Sequence, residues 1–169
     1  AGCAADKGAK LGTSSLVMQM LDEGTKKRSA LEISDELAGL GAVFAAGANV
    51  DQSAVSLNTI RDSLDASLDV FADVILNPEF PDSELSRLKK QVASGIQAAK
   101  NSPVQLALRV VPNLIYGEGH AYNMPLTGSG TEDSVASIGR NDLVQFHDTW
   151  FRPNNATLVV VGDTTLAEI

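Results

Sequence analysis

Histidine is nearly absent from this chain. Its 169 residues contain two, and neither occurs before His120. A zinc site built on two histidines of one early helix therefore has no material here. Cysteine is scarcer still. Cys3 is the only one, which excludes an internal disulfide and leaves the compartment open. Cations are outnumbered, with 13 lysines and arginines against 21 acids and a net charge of −8. The basic runs at residues 26–28 and 87–90 are too short for a phosphate-binding surface, so both read as solvated faces and nucleic acid is not an expected partner. No apolar run reaches the roughly 20 residues that a membrane-spanning helix needs. Membrane insertion is therefore not expected, and no signal-peptide pattern is visible. The sequence opens on Ala1, not on methionine, from which we expect it to be one part of a longer protein.

What is present is enough for a core. Hydrophobic residues make up 44% and charged residues 20%, the balance of a soluble globular domain. The length fits one domain over 1–169, large enough to fold without disulfides or metal.

Hydrophobic spacing predicts a short helix over 12–23, with Leu16, Val17, Met20 and Leu21 on one stripe and Gly24 as its stop. Ser29 and Glu32 have the spacing of a capping box, opening a helix that buries Ile33, Leu37 and Leu40 and ends at Gly41. Residues 42–50 and 51–60 read as two antiparallel strands. In the second, Val55, Leu57 and Thr59 alternate with Ala54, Ser56 and Asn58. The small residues of the first leave room for a helix to pack closely over it.

A helix over 63–76 is expected to turn Leu64, Leu68, Phe71 and Ile75 inward, until Pro78 and Pro81 forbid its continuation. The next, over 82–99, carries Leu85, Leu88, Val92 and Ile96 inward and acids at its start. Ser102-Pro103 has the pattern of a cap followed by proline at the first helical position. That helix runs to about Tyr116, with Pro112 expected to kink or shorten it. Residues 117–131 form a glycine-rich loop, 134–138 a single turn, 140–150 an amphipathic helix and 152–155 a turn. The apolar run 156–161 reads as a strand buried on both faces. The fold class is α+β, with helices on one face of a mostly antiparallel sheet that looks incomplete with three strands.

Five fragments in order, AGCAAD (1–6), DEGTKKRSA (22–30), LNPEF (76–80), LIYGEGHAY (114–122) and WFRPNNATLVVVGD (150–163), resemble the pitrilysin, insulinase and processing-peptidase family of zinc metallopeptidases. Active members of that family carry H-x-x-E-H on the helix before a Gly-Thr pair. Two histidines at i and i+4 bind zinc there, while the glutamate activates the metal-bound water. Placing Gly24-Thr25 in that register puts Ser15, Met18 and Gln19 at the histidine, glutamate and histidine positions. Serine and glutamine are poor zinc ligands, and a thioether accepts no proton. The third ligand of active members is a glutamate on a later helix, whereas the corresponding stretch here, residues 91–98, contains no acid.

The resemblance thus implies a catalytically inactive peptidase-like domain with no catalytic, metal or cofactor-binding residue of its own. It would complete a peptide-binding chamber opposite an active half, in the same polypeptide or a separate subunit, with zinc only in that half. The alternative is a structural scaffold with no role in proteolysis, and a peptidase using a different site is a third reading. Family habit in bacteria leans toward the periplasm, with mitochondria as the alternative.

Other candidate residues read more plainly. His147, beside Phe146 on a helix face, reads as structural and His120 as a turn residue, with a two-histidine site the open alternative. Ser15 lacks the context of a nucleophile. The loop at 128–131 lacks the strand–loop–helix and lysine of a phosphate site. Cys3, Met18 and Met20 read as packing residues.

Overall fold

The computed structural model describes residues 1–6 and 10–165. In chain order these form α1 (Thr13–Met20), α2 (Ala30–Gly39), β1 (Val43–Ala48), β2 (Ser53–Asn58), α3 (Leu64–Leu76), α4 (Asp82–Ala99), α5 (Pro103–Tyr116), α6 (Glu132–Ser137) and α7 (Arg140–Trp150). The class is α+β, as the element order predicts.

The helix α1 is the hub. It carries no charged residue, so no side chain resists burial, and the core lies on either side of it. Leu16, Val17 and Met20 pack with Leu85, Leu88 and Ile96 of α4, Val135 of α6, Leu143 and Phe146 of α7, and Phe80 and Ile138 of the connecting segments. Met18 and Leu21 pack with Ile33, Leu37, Val70 and Val74 from α2 and α3. Each side chain so removed from water contributes about 1.5–3 kcal/mol.

β1 and β2 form an antiparallel hairpin in which Val43 pairs with Asn58 and Ala48 with Ser53. Phe44, Ala46, Ala48, Val55 and Leu57 face the second cluster. The small residues of β1 admit the close approach of α1 and α2, as expected. The opposite face, carrying Val43, Ala45, Ala54, Ser56 and Asn58, is exposed and uncharged. At the turn, Asn49 Oδ1 accepts hydrogen bonds from the backbone N–H groups of Asp51 and Gln52, both 2.9 Å. The N-terminal turn Cys3–Asp6 docks on this loop through Cys3 N–H to Asn49 O and Ala4 N–H to Val50 O.

The helix ends follow their chemistry. The Ser29–Glu32 box is formed. Gly41 at φ 64 closes α2, with Ala42 N–H on Leu37 O and Gly41 N–H on Ala38 O, so two of the orphan carbonyls of the last turn are satisfied. Pro103 opens α5, although the Ser102 side chain makes no cap bond.

Three expectations need correction. First, α3 does not bury Leu68, which is exposed. Its inward face is Ser67, Val70, Asp73 and Val74, because polar partners wait on that side: Ser67 pairs with Thr59 at 2.9 Å and Asp73 with Thr25 at 2.7 Å. Second, Pro112 does not shorten α5, which runs through to Tyr116. Proline at 112 leaves the carbonyl of Leu108 without its helical donor, and Leu126 N–H supplies one from the following loop at 3.1 Å. Third, residues 156–161 form no strand. Among the described residues β1 and β2 pair only with each other, so this run has no ladder, and Leu158 is 74% and Val161 93% exposed.

Candidate functional site

The residues singled out by sequence lie on and around α1. The start of that helix is fixed by a remote carboxylate. Asp6, buried, accepts from Gly12 N–H at 2.8 Å, Ser14 N–H at 3.0 Å and the Ser14 hydroxyl at 3.1 Å. These bonds satisfy donors that the first helical turn cannot pair, and the charge complements the helix dipole. Burial pushes the Asp6 carboxyl up, opposed by the hydrogen bonds from Ser14 and Gly12. Gly130 crosses so close that a Cβ there would lie 2.2 Å from Leu11 O, and one at Gly128 would lie 2.4 Å from Cys3 Sγ. The 128–130 end of the glycine-rich loop is thus a close-packed crossing over the N-terminal segment.

On this helix Ser15 and Gln19 stand one turn apart on a half-buried face, as their i, i+4 spacing requires. They bond each other, Gln19 Nε2 donating to Ser15 Oγ at 3.2 Å. Met18 points elsewhere. It is 1% exposed, inside the cluster with Leu21, Ile33 and Val74. On α4, residues 91–98 present Gln91, Ser94, Gly95, Gln97 and Ala98 to solvent while Ile96 is buried, and a Cβ at Gly95 would meet nothing within 4 Å. The structure therefore brings together two amide- and hydroxyl-bearing side chains with no base, acid or metal ligand among them.

The two histidines are spent separately. His147 Nε2 donates to Ile75 O at 2.8 Å, and its ring stacks on Phe151 at 4.6 Å and meets Phe80 edge-on. It ties α7 to α3, in keeping with a structural role. His120 stacks on Tyr116 at 4.8 Å, and its Nδ1 accepts from Tyr122 N–H at 3.0 Å. Tyr122 in turn donates to Asp51 Oδ1 at 2.7 Å, tying this loop to the hairpin turn. Among the described residues no group of three or more histidine, cysteine, aspartate or glutamate side chains could hold a metal ion. Among the described residues no helix is long and apolar enough to cross a membrane.

The Gly24-Thr25 turn carries what sequence reasoning misread. Arg28 belongs to one of the two basic runs expected to be solvated faces, yet its side chain is only 14% exposed. It meets Glu36 and Asp69 at 2.7 Å and Asp73 at 2.9 Å. The Glu36, Asp69 and Asp73 carboxylates together raise its already high pKa. Burial pushes the Asp73 carboxyl up, but hydrogen bonds from Thr25, Asn77 and Arg28 outweigh it and hold the group below its ordinary value. The second basic run is partnered as well. Arg87 pairs with Glu23 and Glu84, and Lys89 donates to Ala136 O and Ile138 O. The available signal was Asp69 and Asp73 at i and i+4, two like charges on one helix face whose mutual repulsion a neighbouring cation relieves.

Comparison with known proteins accords with this layout. The family model described as insulinase (peptidase family M16) matches residues 1–127, and that described as the peptidase M16 inactive domain matches residues 137–169. A crystal structure of a peptidase M16 inactive domain from Pseudomonas fluorescens is 32% identical with a TM-score of 0.81, covering 87% of this chain and 35% of that one. A protease from Helicobacter pylori, 24% identical, superimposes with a TM-score of 0.85 over 94% of this chain and 38% of that one, a likeness of fold. Among curated relatives, the zinc protease YmxG of Bacillus subtilis is 24% identical over 152 residues, covering 90% of this chain and 36% of its own length. The human mitochondrial-processing peptidase subunit beta is 24% identical over 161 residues, covering 94% of this chain and 32% of its own. The chain thus spans about a third of the length of the relatives it matches. By its match over residues 1–127, this chain belongs to the insulinase-type peptidase family M16.

Proposed function

We propose that residues 1–169 are part of an inactive M16 half, one that completes a peptide-binding chamber opposite a zinc-bearing half and performs no hydrolysis itself. The observation that carries this reading is the state of α1. Ser15 and Gln19, at the two histidine positions of the family register, satisfy each other, and Met18, at the glutamate position, is core. An activated water needs a metal and a base, and these three side chains provide neither. Zinc then resides in the active half, on this polypeptide or on a separate subunit. The β1–β2 hairpin, paired with no other strand among the described residues, supports a contact with peptide, since an extended chain can add as a strand at a free sheet edge. The inactive-domain description of its family match and of the Pseudomonas fluorescens relative supports the same reading. For location we favour the bacterial periplasm, where the structurally similar protease PqqL of Escherichia coli resides, over the mitochondrion.

The test is metal content after zinc exposure and desalting, beside cleavage of a broad peptide library. We expect background zinc and no cleavage. Stoichiometric zinc would overturn the reading and send attention to His120, His147 and their neighbouring carboxylates. A zinc-bearing M16 half gaining activity when this chain is added separates a chamber role from a scaffold, which would leave that activity unchanged.

A further inference from the structure

We draw no further inference here: the strongest candidate, the outward apolar face of α5 carried by Val104, Leu108, Val111 and Ile115, is an unpartnered helix surface, and nothing in the structure shows what covers it.

Discussion

Two helices of this protein are almost equally free of charge and lead opposite lives. The eight residues of α1 contain no ionisable side chain, and six of them are buried. The fourteen of α5 contain one charged side chain, Arg109, and only Pro112 is buried. In α1 the apolar residues point both ways and meet cover on both sides, from α4, α6 and α7 on one and from α2 and α3 on the other. In α5 the side turned toward the protein carries Arg109 and Pro112. Arg109 donates to Ser129 Oγ at 2.8 Å and Gly130 O at 2.6 Å, while Val104, Leu108, Val111 and Ile115 stay outside. Apolar composition therefore does not locate the core. What decides is which neighbours arrive to cover a face, and those come from distant sequence.

The largest effects are expected where α1 is covered on both sides. Leu16→Ala should destabilise by about 2–5 kcal/mol, the cost of lost transfer plus the cavity left behind, read as a fall in the urea midpoint with an unchanged slope. Met18→Glu, the change that the proposed family register suggests, should cost at least as much. It places a carboxylate inside the cluster of Leu21, Ile33, Val70 and Val74, where burying a charge is costly. A Met18→Glu protein as stable as its parent would show that this face of α1 opens, and would weaken the case that the helix has become core.

The crossing that fixes the start of α1 comes next. Gly130→Ala adds a Cβ 2.2 Å from Leu11 O at a φ of 68. Both contact and conformation oppose it, so we expect a loss of about 1–3 kcal/mol. Gly41→Ala is the control: its φ of 64 is nearly the same, yet a Cβ there would meet nothing within 4 Å. The difference between their thermal midpoints isolates the close approach from the backbone cost.

The polar hub gives a pH-dependent prediction. Asp73→Asn should cost roughly 1.5–3 kcal/mol near neutral pH, the range for hydrogen bonds to charged groups. Because the folded state holds the Asp73 pKa down, its contribution is complete above the unfolded value of about 3.9. It fades as pH falls through the lower folded value, since unfolding then releases less of the advantage of the ionised form. The gap between parent and variant should therefore close under acid. Asp6 runs the other way. Its folded pKa is raised, so the folded state binds the proton more tightly and this group favours folding more as pH falls through that raised value toward 3.9. Parallel denaturation of Asp73→Asn and Asp6→Asn across the acid range checks both signs, and matching slopes would contradict them.

How much of this was legible in sequence depends on where the deciding partner lies. The caps at Ser29 and Gly41 and the inward line of Leu85, Leu88 and Ile96 are local, because neighbours a few residues away set them. The same holds for the alternation of β2. The face of α3 was not legible, because Thr25 and Arg28, more than 40 residues earlier, draw Asp73 inward past the more hydrophobic Leu68. Pro112 escaped for the same reason, its orphaned carbonyl being met from Leu126. At the candidate site, sequence supplied the identities of Ser15, Met18 and Gln19. That Ser15 and Gln19 bond each other while Met18 turns into the core is a matter of helix rotation against two clusters, which only packing fixes.

The smallest effects belong to α5. Leu114 is 77% exposed, so Leu114→Ser removes little buried area and should change stability by less than about 0.5 kcal/mol. The same change at Val111, on the outward stripe but 39% exposed, should cost somewhat more, about 1 kcal/mol or less. Helix propensity offers no compensation, since serine ranks near valine. Solubility should improve, because contiguous exposed apolar surface promotes association. The comparison with α1 is sharpest here: truncating one apolar side chain costs several kcal/mol on one helix and almost nothing on the other. If Val111→Ser instead lowers the urea midpoint as far as Leu16→Ala does, α5 is covered in solution, and its apolar face belongs to the core after all.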